Sequence, residues 1–160
     1  MKNKRVLFVC MGNICRSPAA EGIMKHLVSS QNLDNKIFVD SAGTIGYHAG
    51  EPADSRMIEH AAGRGYNLTS ISRKFNPRTD FDNFDYIVTM DDDNYEDIKS
   101  LDRKKLYGDK LFKMTDFSKS IHVSEVPDPF YSGSDGFERV LDILEDACKG
   151  LLDKVKDEIE

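Results

Sequence analysis

Four short apolar runs separated by stretches of helical spacing limit what this chain can become. Arg5 to Cys10, Ile37 to Asp40, Tyr86 to Met90 and Lys110 to Met114 have strand length, and the first three are nearly continuously apolar. That is the pattern of strands buried on both faces of a parallel sheet. Ser17-Pro18 can cap and start a helix with Ile23, Met24, Leu27 and Val28 on one face. After Ala53, Met57, Ile58, Ala61 and Ala62 repeat at helical spacing until Gly63 and Gly65 stop them. Asp91 to Leu101 predicts a third helix, with Asp91-Asp92-Asp93 as its solvent-facing N-terminus favoured by the helix dipole. The longest helix carries Phe137, Leu141, Leu144, Cys148, Leu151, Val155 and Ile159 as one stripe. Strands alternating with helices predict an α/β fold, a doubly wound four-stranded parallel sheet with helices on both faces. Val126 to Gly136 (VPDPFYSGSDG) reads as one long ordered loop.

A chain of 160 residues suits one domain, 1–160, and offers a second too little core. The net charge of -6, from 22 basic and 28 acidic residues, argues against a nucleic-acid partner. Lys2, Lys4 and Arg5 precede an apolar run too short for a signal peptide, and no apolar run approaches membrane-spanning length. Cys10, Cys15 and Cys148 are an odd number, too few for a secreted disulfide framework. The expectation is a cytoplasmic protein with reduced thiols.

Ligands in such sheets bind beyond the carboxyl ends of the strands, which is where Cys10 closes the first run. The residues from Met11 to Arg16 form a tight loop aimed at a helix N-terminus. Loop amides and helix dipole together make a nest for an anion. Gly12 and Asn13 are the residue types that tolerate the left-handed angles such a curl needs. Helix N-terminal amides and the nearby Arg16 favour a thiolate at Cys10, making it a nucleophile. Arg16 presents a planar fork that matches two oxygens of a phosphate. Ser17 has two available roles, capping the helix or donating its hydroxyl to the sulfur, and position 20 lacks the Glu or Gln of a capping box. A lone cysteine at a strand end is more often inert packing, and C-x5-R alone is a common accident.

The segment EVPDPFYSG changes that balance. Phosphoryl transfer to a cysteine needs an acid for the leaving oxygen and then a base for water, and one carboxyl group can serve both. Asp128 stands between Pro127 and Pro129, which stiffen its backbone, and is followed by Phe130 and Tyr131. Their rings are suited to wall a substrate and to shield the acid from water. An isolated Asp-Pro, by contrast, is usually a surface turn.

The pairing of C-M-G-N-I-C-R-S at Cys10 to Ser17 with D-P-F-Y at Asp128 to Tyr131 resembles the low molecular weight protein tyrosine phosphatases. The likeness spans nearly the whole chain and includes Asp40-Ser41 and F-D-Y-I-V-T-M-D at Phe84 to Asp91. It implies a flavodoxin-like three-layer sandwich and a two-step mechanism without metal or cofactor. In that mechanism Cys10 attacks phosphorus, Arg16 and the amides of Met11, Gly12, Asn13, Ile14, Cys15, Arg16 and Ser17 bind phosphate, and Asp128 serves as acid and then base. Asn13, Ser17 and Ser41 are implied supports of the loop. Ile14, Tyr47, Phe130 and Tyr131 are implied walls of a slot that admits phosphotyrosine and is too deep for phosphoserine. The resemblance also implies that Cys15 traps oxidised Cys10 as a reversible disulfide. A loop-supporting histidine of some relatives is matched here by Ser70, which puts that support in question. Tyr131 is an implied phosphorylation site, and a monomer acting on tyrosine-phosphorylated proteins is the expected assembly, with neither nucleic acid nor membrane as a partner.

Three other activities compete. Protein-arginine phosphatases resemble this loop with threonine at the position of Ile14, where a branched apolar residue suits an aromatic ring better. Thioredoxin-coupled arsenate reductases need a relay pair of downstream cysteines, and only Cys148, on the apolar stripe of the last helix, is present. A non-enzymatic phosphotyrosine-binding module would keep Arg16 without reason to keep Cys10 and Asp128. His26, His48, His60 and His122 lack zinc-ligand spacing and read as surface or packing residues.

Overall fold

The computed structural model describes residues 3–159. A four-stranded parallel sheet runs in the order β2-β1-β3-β4, with β1 at Lys4–Cys10, β2 at Ile37–Gly43, β3 at Tyr86–Thr89 and β4 at Leu111–Lys113. Each strand overlaps its sequence-predicted run, and β2 extends three residues further, to Gly43. The helices are α1 at Arg16–Ser30, α2 at Ser55–Ala62, α3 at Asp80–Asn83, α4 at Asp92–Leu101 and α5 at Ser134–Ile159. Short 3-10 turns flank β4 at Gly108–Lys110 and Met114–Phe117. The α/β, flavodoxin-like expectation holds. Among the described residues no helix is long and apolar enough to cross a membrane.

β1 is buried from Val6 onward because both of its faces are covered. Val6, Phe8 and Cys10 face a core built with α1, α2 and α5, while Leu7 and Val9 face a second core with Phe81, Phe84 and Ile98. Period-two alternation therefore sends the Cys10 side chain to the α1 face. The chain leaves β1 toward β2 and later returns to its other side with β3, so the strand order reverses beside β1. A crevice opens at that point past the carboxyl ends.

α5 buries the whole expected stripe from Phe137 to Ile159. It starts at Ser134, so the long loop ends earlier than the expected Gly136. α3 is four residues long, too short for periodicity to announce it. α1 begins at Arg16, earlier than the Ser17-Pro18 start read from the sequence, and Ser17 does not cap it. Pro18 still lies in the first turn, where its missing N–H costs nothing.

Candidate active site

The loop from Met11 to Cys15 is fixed by its carbonyls. The Cys10 and Met11 carbonyls accept from the N–H groups of Thr44 and Ile45 at 2.9 and 3.1 Å, and that of Ile14 accepts from Asp54 N–H at 2.8 Å. Ser72 donates its hydroxyl to the Gly12 carbonyl at 3.0 Å. In a trans peptide the following N–H points opposite to the carbonyl, so these outward carbonyls turn the amides of Met11, Gly12, Asn13 and Cys15 inward. Gly43 makes this possible: a Cβ there would lie 2.7 Å from the Met11 carbonyl oxygen. Asn13 takes the left-handed angle expected of it, with φ of 56°.

A line of buried polar groups orients the Cys10 side chain. Ser41 donates to Glu21 Oε1 at 2.6 Å, so its oxygen is left to accept from Asn13 Nδ2 at 2.9 Å. Asn13 Nδ2 also donates to Ser17 Oγ at 2.8 Å, and its Oδ1 accepts from Arg73 N–H at 3.0 Å. With Ser17 Oγ accepting from Asn13, its own hydrogen is directed to the Cys10 sulfur 3.0 Å away, nearer than the Ala42 carbonyl at 3.4 Å. Of the two roles open to Ser17, capping is absent, and its hydroxyl lies within hydrogen-bond distance of the sulfur. Support for the loop comes from Ser72 and the Arg73 backbone, two and three residues after the position matched to the family histidine. Glu21 escaped sequence reasoning, because a glutamate one turn into a helix looks solvent-facing; here it is 5% exposed and paired with Lys25.

Arg16 is 3% exposed. Its Nη1 donates to Asp91 Oδ2 at 2.6 Å and to the Val126 carbonyl at 3.1 Å, while Nη2 lies 3.8 Å from Asp128 Oδ2. Asp91 is therefore a correction: it caps α4 through the Asn94 N–H at 2.7 Å, yet its other oxygen turns inward to the guanidinium. Asp92 and Asp93 do head α4 as expected.

These groups open on a cavity of about 360 Å³ lined by Cys10, Met11, Gly12, Ile14, Cys15, Arg16, Tyr47, Asp128, Phe130 and Tyr131, all singled out from sequence. Asn13, Ser17 and Ser41 sit behind the lining as its supports. Ile45 and His48 also line it, and neither was expected. His48 is thus a pocket residue, in place of the surface or packing role read from sequence. Tyr47 and Tyr131 stand at the mouth, 81% and 96% exposed, with Tyr47 edge-on to His48 and Tyr131 edge-on to Phe130. They form a rim, and Ile14 with Phe130 forms the wall. The Asp128 side chain remains 41% exposed, so the two rings do not seal it from water.

The third cysteine, Cys148, is fully buried on α5, as expected of a packing residue, and burial pushes its thiol far above the ordinary range. Burial first, and the charge of Asp54 second, likewise raise the Cys15 thiol. Inward amides and a guanidinium are donors throughout, which suits a tetrahedral oxyanion at the sulfur and disfavours a cation there.

Comparison with known proteins agrees with this chemistry. The model of the family described as low molecular weight phosphotyrosine protein phosphatase matches residues 5–160. A low molecular weight protein-tyrosine-phosphatase of Streptomyces coelicolor is 37% identical, over 98% of this chain and 96% of its own. A crystal structure of a protein tyrosine phosphatase from Entamoeba histolytica, with Hepes in the active site, is similar with a TM-score of 0.92 at 49% identity, covering 99% of this chain and 100% of that one. An arginine phosphatase from Drosophila is also similar, with a TM-score of 0.87 at 30% identity over 98% of both chains.

Proposed function

This chain belongs to the low molecular weight phosphotyrosine protein phosphatase family, and on that premise we propose that it hydrolyses phosphotyrosine in proteins through a phosphocysteine intermediate. The observation that carries the reading is the Cys10 sulfur, 3.0 Å from the Ser17 hydroxyl in a cavity that Asp128 and Arg16 share. The Cys10 thiolate attacks phosphorus, and the sulfur–phosphorus bond forms as the bond to the phenolic oxygen breaks. Asp128 gives its proton to that oxygen. Arg16 Nη2 and the inward amides hold the equatorial oxygens, where charge is greatest in the transition state. Water then donates a proton to Asp128 while its oxygen attacks phosphorus, releasing inorganic phosphate and the thiolate.

Ile14 and Phe130, which line the cavity with Cys10, support an aromatic leaving group, which is why phosphotyrosine ranks above phosphoarginine despite the likeness to the Drosophila enzyme. The protein acts as one domain over 1–160, as a cytoplasmic monomer, on tyrosine-phosphorylated partners, without nucleic acid, membrane, metal or cofactor. Cys15 closes a disulfide on Cys10 under oxidation, and Tyr131, almost wholly exposed at the rim, is accessible to a kinase. Wild type, Cys10→Ser and Asp128→Asn are compared on phosphotyrosine, phosphoserine and phosphoarginine peptides with chelator present. The expected result is phosphate release from phosphotyrosine by wild type, none with Cys10→Ser and a rate lowered by about a hundredfold with Asp128→Asn. Binding of the peptides by wild type without phosphate release would overturn the proposal in favour of a binding module.

A further inference from the structure

We propose that Arg56 is a positioning residue for the proton-transfer step, holding the loop of Asp128 in register with the phosphate loop; this rests on the two-step reading above. Arg56 lies in the first turn of α2, where a cation opposes the helix dipole. Helix formation therefore gives no reason for an arginine here. Its side chain is 45% exposed, yet the direction of its fork is fully specified. Nε donates to Asp54 Oδ1 at 3.1 Å and Nη2 to Asp54 Oδ2 at 2.9 Å, while the same Asp54 Oδ1 accepts from the Arg56 N–H. The guanidinium so held lies over two rings, with its carbon 5.3 Å from the centre of Phe130 and 4.9 Å from that of Phe137.

Each end of this unit touches one half of the active site. The Asp54 N–H donates to the Ile14 carbonyl at 2.8 Å, inside the phosphate loop. The Phe130 N–H donates to Asp128 Oδ1 at 3.1 Å, so a displacement of the Phe130 segment carries the carboxyl with it. Asp128 itself stands on coil between two prolines, and its reach to Arg16 is long, at 3.8 Å. The path Ile14, Asp54, Arg56, Phe130, Asp128 thus connects nucleophile and acid. A planar fork is needed to satisfy Asp54 and lie over a ring together, and lysine has none.

The test uses aryl phosphates whose leaving groups differ in their need for a proton. Phenyl phosphate requires the acid, and 2,4-dinitrophenyl phosphate departs without it. Arg56→Gln is expected to lower kcat/KM for phenyl phosphate by about tenfold and for 2,4-dinitrophenyl phosphate by less than about twofold. In the Asp128→Asn background it is expected to add almost nothing, because both changes remove the same proton transfer. Inhibition by inorganic phosphate stays as in wild type. Arg56→Lys serves should Arg56→Gln fold poorly, and it is expected to show the same selective loss, reduced in size. An equal loss on both substrates, full additivity with Asp128→Asn, or no loss at all overturns the proposal. A wild type inactive on both esters would instead sink the phosphatase reading itself.

Discussion

Arg16 donates from Nη1 to Asp91 Oδ2 at 2.6 Å, joining the first residue of α1 to the cap of α4 across the crevice. One guanidinium edge is thereby spent on structure, and the Nη2 edge is left toward Asp128 and the cavity. Removing the carboxylate leaves a buried cation without its partner. Asp91→Ala is expected to cost about 3 kcal/mol in urea unfolding, as for other broken buried pairs. It should also lower kcat/KM by about tenfold as Arg16 loses its fixed direction. Asp91→Asn keeps the α4 cap and should cost less on both counts. Equal stability of Asp91→Ala and wild type would show that the pair does not anchor Arg16.

Gly150 sits inside α5, where alanine is ordinarily favoured by about 1 kcal/mol. Here a Cβ would lie 1.9 Å from the Phe117 carbonyl oxygen and 3.0 Å from its carbon, both backbone atoms that cannot swing aside. Gly150→Ala should therefore destabilise the protein by about 2 kcal/mol, as overpacking does. A thermal melt reads the sign directly, and a raised melting temperature would contradict the close approach.

Asp146 ties the segment after β4 to α5. Although burial opposes it, the backbone N–H groups of Ile121, Ser120 and Lys119 hold its carboxyl below the ordinary 3.8. A carboxyl held low binds fewer protons folded than unfolded, so its contribution to stability is present above the ordinary value and drains as pH falls through the folded one. Asp146→Asn should be less stable than wild type at pH 7, with the gap closing as pH falls below 3.8. Urea midpoints across that range measure it; a gap independent of pH would contradict the bond set.

On the proposed redox role, peroxide would convert the Cys10 thiolate to a sulfenic acid, and attack by the Cys15 sulfur with loss of water would close the disulfide. Burial and Asp54 hold the Cys15 thiol protonated well above its ordinary range. Closure is therefore expected to quicken steadily as pH rises through the alkaline range. Dithiothreitol should restore peroxide-treated wild type, whereas in Cys15→Ser a second equivalent of peroxide carries the Cys10 sulfenic acid on to the sulfinic acid, which dithiothreitol does not reduce, and activity should stay largely lost. Full recovery of Cys15→Ser would remove the protective role.

Features that rest on local pattern were legible in the sequence. Cys10, Arg16 and Asp128 stand in motifs whose neighbours point to one shared site, and the structure brings them to one cavity, while β1 and β3 are apolar on both faces because both are covered. Residues that act through distant partners were not. Asp91 looks like one of three cap acids, and nothing local says that its second oxygen meets Arg16, 75 residues earlier in the chain. Glu21 and Ser72 carry no local sign of burial, since their partners Ser41 and Gly12 come from other elements. α3 was missed because four residues make barely one turn. His48 reaches the cavity through a loop whose path no periodicity describes.

The two halves of the candidate active site hang from parts of the molecule that differ in how firmly they are held. Cys10 ends the strand paired on both sides, whereas Asp128 is carried by coil with one short-range bond to Phe130. Local opening begins where backbone bonds are few. Gentle warming or dilute urea should therefore erode the enzyme in sequence: it becomes a slow phosphatase with an intact anion cradle before it becomes an unfolded chain. A drop in turnover under such stress reports the loosening of one loop, long before loss of the fold.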